Sequence, residues 1–121
     1  MDYAKILELA NKLSKNTLMD TLEIKYVDVG EDFLVATMPV SSKVHQPMGL
    51  LHGGATVALA ESVGSAASHL LIDTKNFEIR GIEITANHLK PENRGPENSV
   101  SSNLFETGLT IFNLLYVFNY A

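Results

Sequence analysis

At 121 residues, with 45% hydrophobic and 19% charged content, the chain can build one core but not two ordinary ones, and a disordered polypeptide is excluded. The net charge of −5 argues against nucleic acid or an anionic membrane as the main partner, while leaving room for a local basic patch that meets a phosphorylated ligand. There is no cysteine, so disulfides and thiolate metal sites are excluded and a reducing cytoplasm, the expected location, is permitted.

The opening "MDYAKILELANKL" carries charges at helical spacing and lacks a signal-peptide core. Residues 2–13 are predicted as an amphipathic helix with Ile6, Leu9, Ala10 and Leu13 on one face. "TLEIKYVDV" (21–29) alternates Leu22, Ile24, Tyr26 and Asp28 against Glu23, Lys25 and Val27. "GED" reads as a tight turn, and "FLVATMPV" (33–40) as the return strand of a hairpin. Residues 41–52, with Pro47 and Gly49, are expected to be a loop longer than a plain connection needs. Gly53 and Gly54 open a helix running to about Ile72. "FEIRGIEITANHLK" (77–90) is a long strand with a bulge signalled by Gly81, and "PENRGPENS" (91–99) is a loop by composition. Residues 105–121 hold five of the nine aromatics and no charge after Glu106. "LTIFNLLYVF" within them fits a buried strand, a short helix or an exposed edge.

The chemistry centres on one carboxylate. From Val44 to Ile72 there is no Lys, Arg or Asp, and Glu61 is the single formal charge. An unpaired carboxylate is costly to remove from water, so this stretch is either more exposed than it looks or keeps the group for reaction. On a wheel of 3.6 residues per turn, Gly54, Val57, Ala58, Glu61, Gly64, Ser65 and Ser68 share one face. Ala55, Leu59, Val63, Ala66 and Leu70 fall on the other and are predicted to pack in the core. Small neighbours leave Glu61 reachable, and Ser65 at i+4 can hydrogen-bond it or a ligand.

At the helix start, "HGG" (52–54) offers free backbone N–H groups with the positive end of the helix dipole behind them. The Gly53 N–H is a donor of the kind acyl transfer needs where charge builds on oxygen. Eight residues of helix separate it from Glu61, about 12 Å at 1.5 Å per residue. Both groups can therefore meet one carbonyl only if two subunits share the site. Plainer readings exist: a glycine pair as a turn, His52 as a cap, Glu61 as a solvated residue. His45, His52, His69 and His88 form no recognisable metal motif, and there is no phosphate-binding loop or serine-hydrolase elbow.

The run "MPVSSKVHQPMGLLHGGATVALAESVGSAAS", followed by "GIEITANHLKP", closely resembles the hot-dog-fold acyl-CoA thioesterases. The nearest branch holds the dihydroxynaphthoyl-CoA hydrolases of menaquinone or phylloquinone synthesis and the proofreading thioesterase of enterobactin synthesis. The likeness covers about residues 17–91 and rests on Gln-Pro, Leu-His-Gly-Gly and Ala-Glu-Ser at these spacings. It implies an α+β hot-dog fold, an antiparallel sheet wrapped around the long helix 53–72, in a single domain over 1–121 that pairs into homodimers or homotetramers. It implies an acyl-CoA or acyl-carrier-protein thioester as substrate, with an aromatic or bulky acyl group, and no metal or cofactor. By resemblance Glu61 is the catalytic carboxylate, as nucleophile or as general base. Gly53 is the backbone donor to the thioester carbonyl, and Gln46, His52 and Ser65 position the reactants. Ser62, His88 and Lys90 match substrate-binding positions, Lys90 against a phosphate of CoA.

The C-terminal part departs from the pattern. Relatives continue with two long strands bearing a Gly-rich basic turn, a tryptophan and an ending near Ser-Arg-x-Thr. Residues 92–121 show none of these, which suggests a shifted frame or truncation beginning around 92–100. The sheet is then either incomplete or completed by substitute strands from the aromatic tail. The divergent tail also motivates the alternative of a non-catalytic acyl-binding scaffold. A hot-dog dehydratase fits less well, because the nine residues from His52 to Glu61 do not match its catalytic pair.

Overall fold

The computed structural model describes residues 1–31, 33–71, 73–88, 99–103 and 110–119. Helix α1 (Tyr3–Leu13) begins at Asp2, whose side chain accepts from the Lys5 N–H at 3.1 Å, a cap that contributes about 1 kcal/mol. Its packed face is Tyr3, Ile6, Leu7 and Ala10, whereas Leu9 and Leu13 are exposed. The predicted stripe is thus rotated, and Asn11 is the reason. Its side-chain amide accepts from the Tyr26 N–H and donates to the Tyr26 carbonyl, both at 2.9 Å. Those two bonds fix α1 with Leu7, Ala10 and Asn11 toward the first strand. A single further turn, α2 (Leu18–Thr21), is capped by Thr17 and is too short to show an apolar period.

Strands β1 (Lys25–Val29) and β2 (Leu34–Pro39) form the predicted antiparallel hairpin, closed by the Gly30 N–H on the Phe33 carbonyl at 2.9 Å. The register slips between Tyr26 and Asp28. Ile24 and Tyr26 are buried as expected, but past the slip Val29 turns inward and Asp28 lies exposed. An extra residue in one strand reverses which face follows it, and that corrects the inward placing of Asp28. In β2, Leu34, Ala36 and Met38 are buried in strict alternation.

The segment expected to be a long loop is instead a miniature hairpin. After a 3₁₀ turn at Ser42–Val44, the His52 N–H donates to the Val44 carbonyl and the Gln46 N–H to the Leu50 carbonyl, each at 2.8 Å. The Gly49 N–H returns to the Gln46 carbonyl at 3.0 Å. Pro47 presets the first central residue, and Gly49 sits at φ +78°, a conformation that favours glycine.

Helix α3 (Gly53–Leu71) follows and packs against β2 and the three remaining strands. Its inward face repeats every four residues: Ala55, Leu59, Val63 and Ala67, with Ala60 beside them. Ala66 is half-buried and packs against this core as predicted, whereas Leu70 is 40% exposed and its expected inward place is taken by Ala67 and Ala60. Strand β3 (Phe77–Asn87) pairs with β5 (Thr110–Asn119) from Phe77↔Asn119 to Asn87↔Thr110. The slip between Gly81 and Glu83 is the predicted bulge. Strand β4 (Ser99–Asn103) pairs with β2, from Val35↔Asn103 to Pro39↔Ser99. The sheets run β1-β2-β4 and β3-β5, all antiparallel. The divergent C-terminal sequence therefore supplies two strands, one paired with β2 and one with β3. The predicted loop at 91–98 and the end of the 77–90 strand, Leu89 and Lys90, lie outside the described residues. No helix among the described residues is long and apolar enough to cross a membrane.

Candidate active site

The first turn of α3 draws its capping from His52. The Gly54 N–H donates to His52 Nδ1 at 2.8 Å, and the Ala55 and Thr56 N–H groups reach the His52 carbonyl at 3.0 and 3.3 Å. A ring nitrogen that accepts a bond carries no proton, so the neutral imidazole holds its hydrogen on Nε2 and presents a donor there. With Gly54, Ala55 and Thr56 satisfied, the Gly53 N–H is the one donor of this turn without an acceptor among the described residues. The orphan N–H and the helix dipole together make the tip a place where negative charge on oxygen is favoured.

A second imidazole lies at the same tip. A Cβ on Gly53 would stand 2.9 Å from His88 Nε2 and 3.0 Å from its Cε1. The bare glycine thus lets the His88 ring, at the end of β3, lie directly against the helix start. Residues 52, 53 and 88 are brought together. Gln46, at the base of the miniature hairpin, accepts from the Met48 N–H with its side-chain oxygen. That bond folds its amide over the Pro47–Gly49 turn, whose tip Met48 is 82% exposed.

Glu61 lies two turns further on. All seven residues of its predicted face, from Gly54 to Ser68, are half-buried or exposed, in contrast to the closed inward face. Its carboxylate has no hydrogen bond or ion pair among the described residues. The ion pairs found there, Lys43–Glu23 at 3.9 Å and Arg80–Glu78 at 2.8 Å, are on the surface. Ser65 shares the face; its carbonyl accepts from His69 Nδ1 at 2.9 Å. Ser62, around the helix from Glu61, turns its hydroxyl onto the Ala58 carbonyl at 2.7 Å. Lys90 lies outside the described residues. Glu61 and the Gly53 donor remain about 12 Å apart along the axis, so one chain does not bring them to a common point.

Sequence reasoning passed over Tyr26. Its hydroxyl donates to the Ser62 carbonyl at 3.2 Å and lies 3.7 Å from Met19 Sδ. Burial pushes its phenol above the ordinary tyrosine value. The signal available was a phenol at an inward strand position, which needs a polar partner once buried.

Residues 48–117 match the thioesterase superfamily. Over 89 residues the chain is 44% identical to the 1,4-dihydroxy-2-naphthoyl-CoA hydrolase of Escherichia coli, covering 74% of this chain and 65% of that protein. It is 45% identical over 95 residues to the proofreading thioesterase EntH of Cronobacter turicensis, covering 78% and 68%. A crystal structure of a mutant of thioesterase PA1618 from Pseudomonas aeruginosa superposes with a TM-score of 0.83 at 34% identity, over 93% of this chain and 94% of the other. The matched segment spans 63–66% of the length of the first curated relatives.

Proposed function

Since this chain belongs to the thioesterase superfamily, we propose that it hydrolyses the thioester of an aromatic or otherwise bulky acyl-CoA to the free acid and CoA. The observation that carries this reading is Glu61, a carboxylate without a hydrogen-bond or ion-pair partner among the described residues, on the open face of an otherwise uncharged helix. Two routes use it. In one, a Glu61 oxygen attacks the thioester carbon, the C–S bond breaks, CoA leaves as thiolate, and water cleaves the resulting anhydride. In the other, Glu61 takes a proton from water as the water oxygen attacks the same carbon, and the C–S bond then breaks to give the free acid and CoA, whose sulfur takes up that proton. In both, the Gly53 N–H holds the carbonyl oxygen as it gains charge. The His52 Nε2–H, Gln46 and Ser65 orient the reactants; Ser62, His88 and Lys90 serve the substrate.

The separation of Gly53 from Glu61 supports a site shared between two copies, in a homodimer or homotetramer. Strand β3 is suited to pairing, because among the described residues it bonds β5 on one side and no strand on the other. The E. coli relative's name specifies a naphthoyl ester, which supports testing bicyclic aromatic acyl groups first. No metal or cofactor has a part in either route.

The test is CoA release from benzoyl- and naphthoyl-CoA, with sedimentation of the same protein to read its assembly. Glu61→Ala is expected to abolish turnover. Activity within a few-fold of the parent would end the assignment. Binding of the esters by folded protein without turnover would favour a scaffold instead.

A further inference from the structure

We infer that Tyr26 is a positioning residue that sets the rotation of α3, and so the direction in which Glu61 points, through its hydrogen bond to the Ser62 carbonyl. This rests on the proposed hydrolase reading for its catalytic consequence and on the fold for its mechanical one. The inward face of α3 is Ala55, Ala60 and Ala67 around Leu59 and Val63. Leu59 and Val63 seat the helix in the core, but the small alanines flanking them leave its fine rotation weakly set by apolar contact, because dispersion and hydrophobic burial have no direction. Among the described residues, Tyr26 Oη to the Ser62 oxygen, at 3.2 Å, is the one side-chain hydrogen bond that ties α3 to a strand. The others on this helix close within its own turns or onto His52.

The tie sits where it matters. Ser62 follows Glu61 directly, and each residue of helix turns the chain by 100°, so holding the Ser62 carbonyl holds the Glu61 Cα–Cβ direction. A helix carbonyl has two lone pairs and uses one for its own i+4 N–H, leaving the second for the phenol. The anchor is itself rigid. Tyr26 is 6% exposed, and the Asn11 amide grips its backbone on both sides at 2.9 Å. Burial also keeps the phenol protonated, as a donor to a carbonyl must be. The chain of support therefore runs from α1 through β1 to the carboxylate.

The experiment compares Tyr26→Phe with Asp2→Ala, which removes the N-cap at the end of α1 away from Asn11 and leaves both Asn11–Tyr26 bonds in place. Both are purified as the full chain and assayed on benzoyl-CoA alongside Glu61→Gln. Tyr26→Phe is expected to lower kcat roughly tenfold with KM within about twofold, since misdirection of a reacting group acts on the chemical step. Asp2→Ala should lose comparable thermal stability with kcat unchanged. Hydrogen exchange supplies a readout that needs no activity: amides of residues 59–67 should exchange about tenfold faster in Tyr26→Phe and stay unchanged in Asp2→Ala. Parental kcat in Tyr26→Phe beside an inactive Glu61→Gln would overturn the positioning role and leave the hydrolase reading standing. An inactive parent would remove the hydrolase reading, and unchanged exchange in Tyr26→Phe would then sink the tie to the helix as well.

Discussion

The two faces of α3 have had opposite fates. Inward, Leu59 and Val63 are 1% exposed and Ala55 and Ala67 close around them. Outward, the row from Gly54 to Ser68 remains half-open, and Glu61 stands in it unpaired among the described residues. One face has completed its contacts; the other keeps Glu61 without a hydrogen-bond or ion-pair partner among the described residues. A side chain whose needs are met contributes stability, and one whose needs are unmet is free to act on a ligand.

That contrast can be broken at either face. The largest effect belongs outward: Glu61→Gln should reduce kcat/KM at least about a thousandfold, measured by CoA release, while the midpoint of thermal unfolding holds or rises. Activity lost in step with stability would mean that the face is structural after all. Inward, Leu59→Ala should cost about 2–5 kcal/mol in urea unfolding, because the neighbouring alanines and strands can collapse only partly into the void. At the tip, Gly53→Ala should change stability by less than about 1 kcal/mol, because the atom it meets is the end of an exposed ring. It should still cost roughly tenfold in kcat/KM by moving His88 off the helix start.

The smallest effect is in pH. The folded state keeps the Tyr26 proton to higher pH than the unfolded chain does. Its contribution is whole below about pH 10 and is lost as pH rises through the folded value. Thermal midpoints of the parent should therefore fall more steeply above about pH 10 than those of Tyr26→Phe.

Much of this was legible in the residues. The extent of α3, the Glu61 face and the bulge at Gly81 follow from spacing, since a long helix of small residues leaves little ambiguity of period. What escaped was decided by single contacts. The face of α1 was set by Asn11 reaching Tyr26, a tertiary bond that no apolar count along residues 2–13 contains. Asp28 was misplaced because a one-residue slip in β1 inverts everything after it. The stretch 41–52 read as slack because Pro47 and Gly49 mark turns without saying which strands they join. At the site, Glu61 and Gly53 stood out by charge and by glycine. The apposition of His88 to Gly53 joins residues 35 apart in sequence and needed the strand that brings them together.

The amide of Asn11 has one more effect. By occupying both hydrogen-bonding groups on the outer margin of β1 at Tyr26, it seals that rim against a neighbouring molecule's backbone, much as a selvedge stops cloth from fraying.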